Sequence, residues 1–444
     1  KLMLLLGLIF AAFMYLFSPI LAAMSGSKEQ LTPVMYSLVP PILIFPAMSI
    51  MRGFFQGHNN MKPYAISQIL EQIARVIWIW GATFFIMKLG SGDYLQAVVQ
   101  STFGAFVGMI ASIAVLLFAL QKGGYIARIL KKPESAISID LKALIVETVK
   151  EAIPLIVIGS AIQLYQFVDQ ITFVNFMEAI TNFTKQELLV DYSYMISNPS
   201  KITMVIIGVA GSIGSVAIPM ITESFVKKDI KGTSNLITDN IRMLSIVIIP
   251  AIVGTFILAR PLYVVFYGAS EAAAIGLFRA NLLLISLQGL YTLFGVIIQG
   301  IFENRKGIIF FITGLVVKII LHFPFIYFFH AFGPLLSTAA GLFVSNALIF
   351  RRVDKVVGIN KTAVKKNVMG ITILALIMGI AVFALEIGLS QFLPPVGRIA
   401  SLVHLVLAGS AGVLIYAYLT LKTRQLDKLI GAKADALRRK LRIS

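Results

Sequence analysis

The sequence predicts an all-α, polytopic membrane protein, and three observations carry that reading. The 444 residues are 58% hydrophobic and only 13% charged, whereas soluble domains run nearer about 25% charged. The apolar residues recur in blocks of about 20 to 28, each long enough at 1.5 Å per residue to cross a hydrocarbon core of about 30 Å. Basic residues collect in the connections on alternate sides of those blocks, the positive-inside pattern. Open sheet edges are not tolerated in lipid, so the spans are helices. The net charge of +18 follows the loops and is therefore not read as a nucleic-acid footprint.

Twelve spans can be laid out in order: 2–24, 34–56, 63–87, 94–120, 148–173, 202–225, 243–267, 274–302, 307–332, 334–350, 368–392 and 399–421. The connection 122–142 carries Lys122, Arg128, Lys131, Lys132 and Lys142. Lys227, Lys228, Lys231 and Arg242 follow the sixth span, and Arg351, Arg352, Lys355, Lys361, Lys365 and Lys366 follow the tenth. Opposite connections are sparse, as with Lys185 and Lys201 against Glu178, Glu187 and Asp191. Twelve spans place every rich loop on one side, so both ends of the chain are expected in the cytoplasm. The chain runs from Lys1 straight into apolar sequence without a cleavable leader, and this start is read as a truncation with earlier helices missing.

The domain organisation follows from the same features. Residues 1–121 form an N-terminal lobe of four spans, and 122–142, rich in Gly and Lys and containing Pro133, form a cytoplasmic linker. Residues 143–350 form a second lobe of six spans, 351–421 a final helix pair, and 422–444 a basic tail. In that tail Leu426, Leu429, Ile430, Leu437 and Leu441 recur at helical spacing among Arg438, Arg439 and Lys440, as an amphipathic helix on an anionic leaflet would require; a solvated basic tail is the other open reading. An internal repeat supports two lobes. Gln56-Gly57 closes the second span and Arg75 stands 19 positions beyond Gln56; Gln299-Gly300 closes the eighth and Lys318 stands 19 positions beyond Gln299. Both copies have the same orientation.

Ionisable residues in mid-span are the informative ones, since each costs at least about 2.5–3.5 kcal/mol at the bilayer centre. Arg75 and Glu71 lie at the i,i+4 spacing that lets them pair, and Gln68 and Gln72 extend their polar face. A structural ion pair and the lining of a water-filled cavity are both open readings. Lys318 has no acid within a turn of its own helix. Its candidate partner is Asp169, on a span that also carries Gln163, Gln166 and Gln170; snorkelling to the cytoplasmic side is the alternative. The eighth span adds Asn281, Gln288, Thr292, Gly295 and Gln299, either as cavity lining or as interhelical hydrogen-bond glue. The stripes Ser101, Gly104, Gly108, Ser112 and Gly208, Gly211, Ser215 read as close helix packing. Pro40, Pro41, Pro46, Pro154, Pro219 and Pro250 fall within spans as potential kinks.

Catalytic patterns are absent: no His-Glu-x-x-His, no phosphate-binding P-loop, no Gly-x-Ser-x-Gly elbow, and no cysteine for a thiol nucleophile or thiolate site. No catalytic residue, metal site or cofactor is assigned, and the expected class is a transporter rather than an enzyme.

The run from Met51 to Val76, Gln-Gly…Met-x-Pro…Ser-Gln-x-x-Glu-Gln-x-x-Arg, resembles the fourth and fifth helices of the polysaccharide-transporter branch of the multidrug/oligosaccharidyl-lipid/polysaccharide (MOP) exporter superfamily. It looks most like the SpoVB/YtgP group, relatives of MurJ-type lipid II flippases. Ile153-Pro154 through Asp169 resembles the helix that opens the second lobe, and Ala217-Ile-Pro-Met-Ile-Thr-Glu223 the end of the next. The resemblance runs the length of the chain. It implies a MATE/MurJ-like two-lobe bundle of fourteen helices, of which about twelve are present and the first two missing. It further implies alternating access, with lobes rocking around a central cavity that passes a polyprenyl-diphosphate-linked saccharide, lipid II first among them, across the bacterial cytoplasmic membrane. Arg75 and Lys318 are then candidates for the diphosphate, Glu71 and Asp169 for orienting them or for coupling to H+ or Na+, and the lipid tails for the last two helices. Membrane lipids are the other expected partners, with no nucleic acid and a monomeric state. Two departures stand out: the helices that carry functional arginines in MurJ-type proteins are absent, and the region 191–201, where those proteins have another arginine, has none. The alternatives are a cation-coupled multidrug exporter of the same superfamily and, less in keeping with the short external loops, a membrane glycan ligase or polymerase.

Overall fold

The computed structural model describes residues 2–25, 28–58, 60–126, 140–268, 271–427 and 431–440, all in helices and their connections, with no strand among them. Most of the expected linker 122–142 lies outside the described residues, as do Leu429, Ile430 and Leu441 of the tail. The chain divides into two units, Lys1–Ile139 and Asp140–Ser444.

The first unit holds α1 (Leu2–Met24), α2 (Lys28–Tyr36), α3 (Val39–Gly57), α4 (Met61–Phe84) and α5 (Tyr94–Lys122). Pro40 and Pro41 do not kink a span as expected. They occupy the first turn of α3, where the missing N–H groups have no helical partner to lose. The Asp93 carboxylate caps α5 by accepting from the Leu95 and Gln96 amides. α4 and α5 form a tight hairpin. A Cβ at Gly108 would sit 2.6 Å from the Glu71 carbonyl oxygen, and one at Gly104 would sit 3.0 Å from the Ile79 side chain. Thr83 and Ser101 bond across the same seam at 3.1 Å, so the first small-residue stripe is a packing face. Gly108→Val is expected to force the hairpin apart and to lower stability by about 1–3 kcal/mol, read as a fall in the thermal midpoint in detergent.

The second unit begins with α6 (Leu141–Gly159) and α7 (Ala161–Ile180), which divide the expected fifth span at Ser160. A Gly-Ser pair is a common helix-bending locus. Next come α8 (Lys185–Tyr192), opened by a capping box between Thr184 and Glu187, and α9 (Asn198–Val226). α10 (Ile230–Ile257) starts well before the expected 243–267 span and stops inside it; α11 (Ala259–Tyr267) is separate. Pro261 lacks the N–H that would bond the Ile257 carbonyl, so the helix breaks there. α12 (Ala272–Gly300) runs through the core, with sixteen buried residues. α13 (Asn304–Phe329) and α14 (Gly333–Val357) form a second tight hairpin around a 3-10 turn at His330–Phe332. α15 (Lys361–Phe392) packs on α10, α16 (Arg398–Lys422) packs on α11 and α15, and α17 (Ala432–Lys440) ends the described chain.

Among the described residues, ten helical runs are long and apolar enough to cross a membrane. One of them, Asn304–Val357, contains both α13 and α14, and the broken α6–α7 stretch is not among the ten. The second small-residue stripe departs from its expectation. A Cβ at Gly208 or Gly211 would meet nothing within 4 Å, and close packing falls instead on Gly214, 2.8 Å from Val296.

The internal repeat is deeper than two residues and a charge. Arg75 and Lys318 each stand fourteen positions after the first residue of their helices, Met61 and Asn304. One turn earlier each helix meets a glycine of its hairpin partner, Gly108 at Glu71 and Gly341 at Gly314, and one turn beyond that glycine is a serine, Ser112 or Ser345. Both cations therefore sit beside a glycine crossing where two backbones nearly touch.

The tail is clipped to the bundle. Arg438 donates to Asp427 at 2.6 and 2.9 Å and to the Leu421 carbonyl at 3.1 Å, and also pairs with Asp435. Arg242 of α10 donates to the Gln425 carbonyl at 3.1 Å. The Arg438 hydrogen bonds hold the Asp427 carboxyl below its ordinary value. A carboxyl lowered in the folded chain adds stability above the ordinary carboxylate range and loses it as pH falls through the lowered value. The clip should therefore hold at neutral pH and release only in acid. Proteolysis of the tail at pH 7 and, with an acid protease, at about pH 2 checks this, with Asp427→Asn expected to be cut at both.

Candidate functional site

Two buried ion clusters are built on the two glycine-crossed hairpins. In the first unit, Glu71 of α4 accepts from Arg52 of α3 at 2.7 Å through Oε2 and from Arg75 of α4 at 2.6 Å through Oε1. Arg52 also donates to Ser112 at 2.8 Å through Nη2 and to Ser67 at 3.1 Å through Nε. Two guanidiniums on one carboxylate leave the triad with one net positive charge. Arg52 and Glu71 side chains are 13% and 8% exposed, while Arg75 is 29% exposed. The Arg75 Nε–H is buried and has no hydrogen-bond partner among the described residues. The triad thus carries one net positive charge, and Arg75 is its most exposed side chain. Gln68 and Gln72 lie exposed on the same helix.

In the second unit, the Lys318 ammonium donates to Asp169 Oδ1 at 2.7 Å, the Tyr165 carbonyl at 2.8 Å and Thr338 Oγ1 at 2.7 Å. All three N–H bonds are used and the side chain is 0% exposed, so Lys318 does not snorkel. The expected partnership with Asp169 is present, inside a sealed cluster that offers no free donor in this conformation. Its ammonium lies 5.3 Å above the Tyr165 ring. His322, one turn on, is equally buried and touches Thr172 and Ser337. Gln163 is exposed and Gln166 half-buried on α7; Gln288 is buried and Gln299 half-buried on α12. On α12, Asn281 donates to the Met195 carbonyl at 2.9 Å and Gly295 lies against Ile158, an interhelical contact for each.

The sequence reading missed Arg52 and passed over His322. Arg52 stands inside the expected second span, and its signal was an arginine facing two spans that each carry a serine, Ser67 and Ser112. The pairing read for Glu71 lay within its own helix, and Arg52 reaches it from another.

An apolar groove of about 560 Å³ in the second unit runs between α10, α11, α15 and α16, lined by residues such as Pro250, Gly254, Leu262, Met378, Gly412 and Tyr416.

Two helical units with charge clusters buried in their hairpins, and apolar helices long enough to span a bilayer, define a multi-pass α-helical membrane protein. The family model for polysaccharide biosynthesis proteins matches residues 1–225. The chain is 30% identical over 455 residues to "Lipid II flippase MurJ" of Bacillus subtilis (strain 168), a match covering 99% of this chain and 82% of that one. It is 32% identical over 117 residues to "Stage V sporulation protein B" of the same organism, over 26% of this chain and 22% of the other. Among solved structures it resembles lipid II flippase MurJ in an inward closed conformation, with a TM-score of 0.64 at 17% identity over 95% of this chain and 82% of that one. It also resembles the eukaryotic MATE transporter AtDTX14, with a TM-score of 0.61 at 13% identity over 83% and 79% of the two chains. These two likenesses speak to the fold alone. The chain belongs to the polysaccharide biosynthesis protein family, in the MurJ/SpoVB branch of the MOP exporter superfamily.

Proposed function

We propose that the protein is a flippase that carries a polyprenyl-diphosphate-linked saccharide, lipid II foremost, across the bacterial cytoplasmic membrane by alternating access. The observation that carries this reading is the 30% identity to a lipid II flippase along 99% of the chain. The Arg52–Glu71–Arg75 triad supports it on independent grounds. A diphosphate is an anion with several acceptor oxygens, and a guanidinium with N–H bonds to spare in a water-poor site is suited to bind it. Arg75 is the contact residue in this reading, with Arg52 and Glu71 positioning it. Asp169 and Lys318 belong to the second lobe's coupling machinery, and the groove along α16 takes the polyprenyl chain. The basic connections and the α17 tail face the cytoplasm, and the protein moves its substrate without chemical change.

Native mass spectrometry of the protein released gently from its own membrane tests the substrate class. A bound polyprenyl-diphosphate saccharide, lost or reduced at least about tenfold in Arg75→Ala, is the expected result. Ordinary phospholipids alone, equal in both proteins, would leave the triad a structural cluster and turn attention to ion-coupled efflux.

A further inference from the structure

His322 of α13 is fully buried, yet both of its ring nitrogens face groups that can change role. Nε2 lies 2.7 Å from Thr172 Oγ1, and Nδ1 lies 3.2 Å from Ser337 Oγ. Each hydroxyl has a second place to send its own proton: Thr172 donates to the Val168 carbonyl at 2.6 Å and Ser337 to the Pro334 carbonyl at 3.0 Å. A neutral imidazole needs one donor and one acceptor, and either hydroxyl can supply either. An imidazolium needs two acceptors, and both hydroxyls serve once their protons turn to the carbonyls. The site therefore accommodates both protonation states without moving a heavy atom, which is unusual for a buried histidine, where one tautomer is commonly fixed.

The charged surroundings give that proton a consequence. Asp169 Oδ1, on α7, lies 3.6 Å from His322 Nδ1 and 2.7 Å from the Lys318 ammonium. Facing the ring from its neighbours are thus Asp169 on α7, Lys318 on its own helix, and the neutral hydroxyls of Thr172, Ser337 and, through Lys318, Thr338. The Tyr192 phenol of α8 is near enough to Asp169 to feel its charge.

We propose that His322 is a proton-binding site, and that one proton there changes the net charge of the Asp169–Lys318–His322 cluster from zero to +1. In the neutral state one carboxylate serves one ammonium, and α7, α13 and α14 are knit together through it. In the protonated state one carboxylate serves two cations, so its hold on Lys318 weakens and the three helices have less to lose by separating. The cluster then acts as a proton-controlled clasp in the second unit. The proton site stands on its own geometry; only its effect on transport rests on the flippase reading.

The direct test is a histidine-selective NMR titration of the whole protein in lipid nanodiscs. The chain has four histidines, and the His322 signal is the one missing from His322→Gln. It is expected to move from the neutral to the protonated position as the pH is lowered from about 8 to about 3.5, and to titrate at lower pH in Thr172→Val, which removes the Nε2 acceptor. A signal that stays neutral throughout that range overturns the proposal, as does a Thr172→Val signal unchanged from wild type. Should His322→Gln fail to fold, His58→Gln, His330→Gln and His404→Gln assign the other three signals and leave that of His322 by elimination. Substrate translocation by the wild type, measured separately, decides the flippase reading. With translocation present, His322→Gln should flatten its pH profile by several-fold at the extremes; an unchanged profile would overturn the clasp.

Discussion

Asp169→Ala should lower folding stability by about 3–5 kcal/mol, the cost of leaving a buried charge without its partner. The physical reason is the asymmetry of buried pairs. Lys318 has no water contact and three acceptors within 2.8 Å, and only Asp169 among them carries charge. Removing the carboxylate leaves an ammonium held by a carbonyl and a hydroxyl in an apolar interior. Lys318→Met should be nearly as damaging, because the carboxylate is then the orphan. The double variant Asp169→Asn, Lys318→Met should recover most of the loss, since replacing both members of a buried pair is often close to neutral. Thermal and SDS unfolding of the three variants measures this. Losses below about 1 kcal/mol for either single variant would mean that the cluster is hydrated.

Glu71→Gln is expected to have the second-largest effect, and on transport more than on folding. Hydrogen bonds to a charged group are worth about 1.5–3 kcal/mol each, and Glu71 makes two. The Arg75 contribution is discounted because that side chain is about a third exposed and partly screened. The expected stability loss is therefore about 2–4 kcal/mol. The larger consequence is positional. Without a carboxylate between them, Arg52 and Arg75 repel, and Arg75 loses the bond that fixes its guanidinium. Substrate affinity should fall at least about tenfold, since each 1.4 kcal/mol of lost binding is a factor of ten. Arg52→Lys should produce a milder version, because a lysine cannot reach Glu71, Ser67 and Ser112 with one planar fork. Binding and unfolding measured on the same preparations separate the two effects.

Much of this was legible in the sequence because lipid restricts what a chain can do. Hydrophobic block length, the ban on open backbone and the position of lysines are enough to read a helical bundle from the sequence. Glu71 with Arg75, and Lys318 with Asp169, stood out because charge in mid-span is costly and must be paired. The first pair was readable from i,i+4 spacing; the second was only a suggestion, since nothing local says that residues 149 positions apart will meet at 2.7 Å. Arg52 was missed for the same reason. Helix breaks were the least readable part: Pro261 stops α10 inside an apolar block, while Pro250 is absorbed within it. Hydropathy does not register that difference, because it depends on which carbonyl loses its donor and what else can satisfy it. The glycine stripes were alike as letters. The stripe at Gly104 and Gly108 meets a neighbouring backbone, and Gly208 faces open space.

The most direct test of the central claim is translocation by the purified protein. Proteoliposomes containing a polyprenyl-diphosphate-linked saccharide would be challenged with a membrane-impermeant enzyme that acts on the exposed sugar, so that only the outer leaflet is consumed. With a working flippase the inner-leaflet pool becomes accessible and nearly all substrate is converted, while empty liposomes stop at the outer-leaflet half and Glu71→Gln approaches full conversion more slowly than the wild type. Conversion that stops at one half for the wild-type protein as well, with binding intact, would contradict the account.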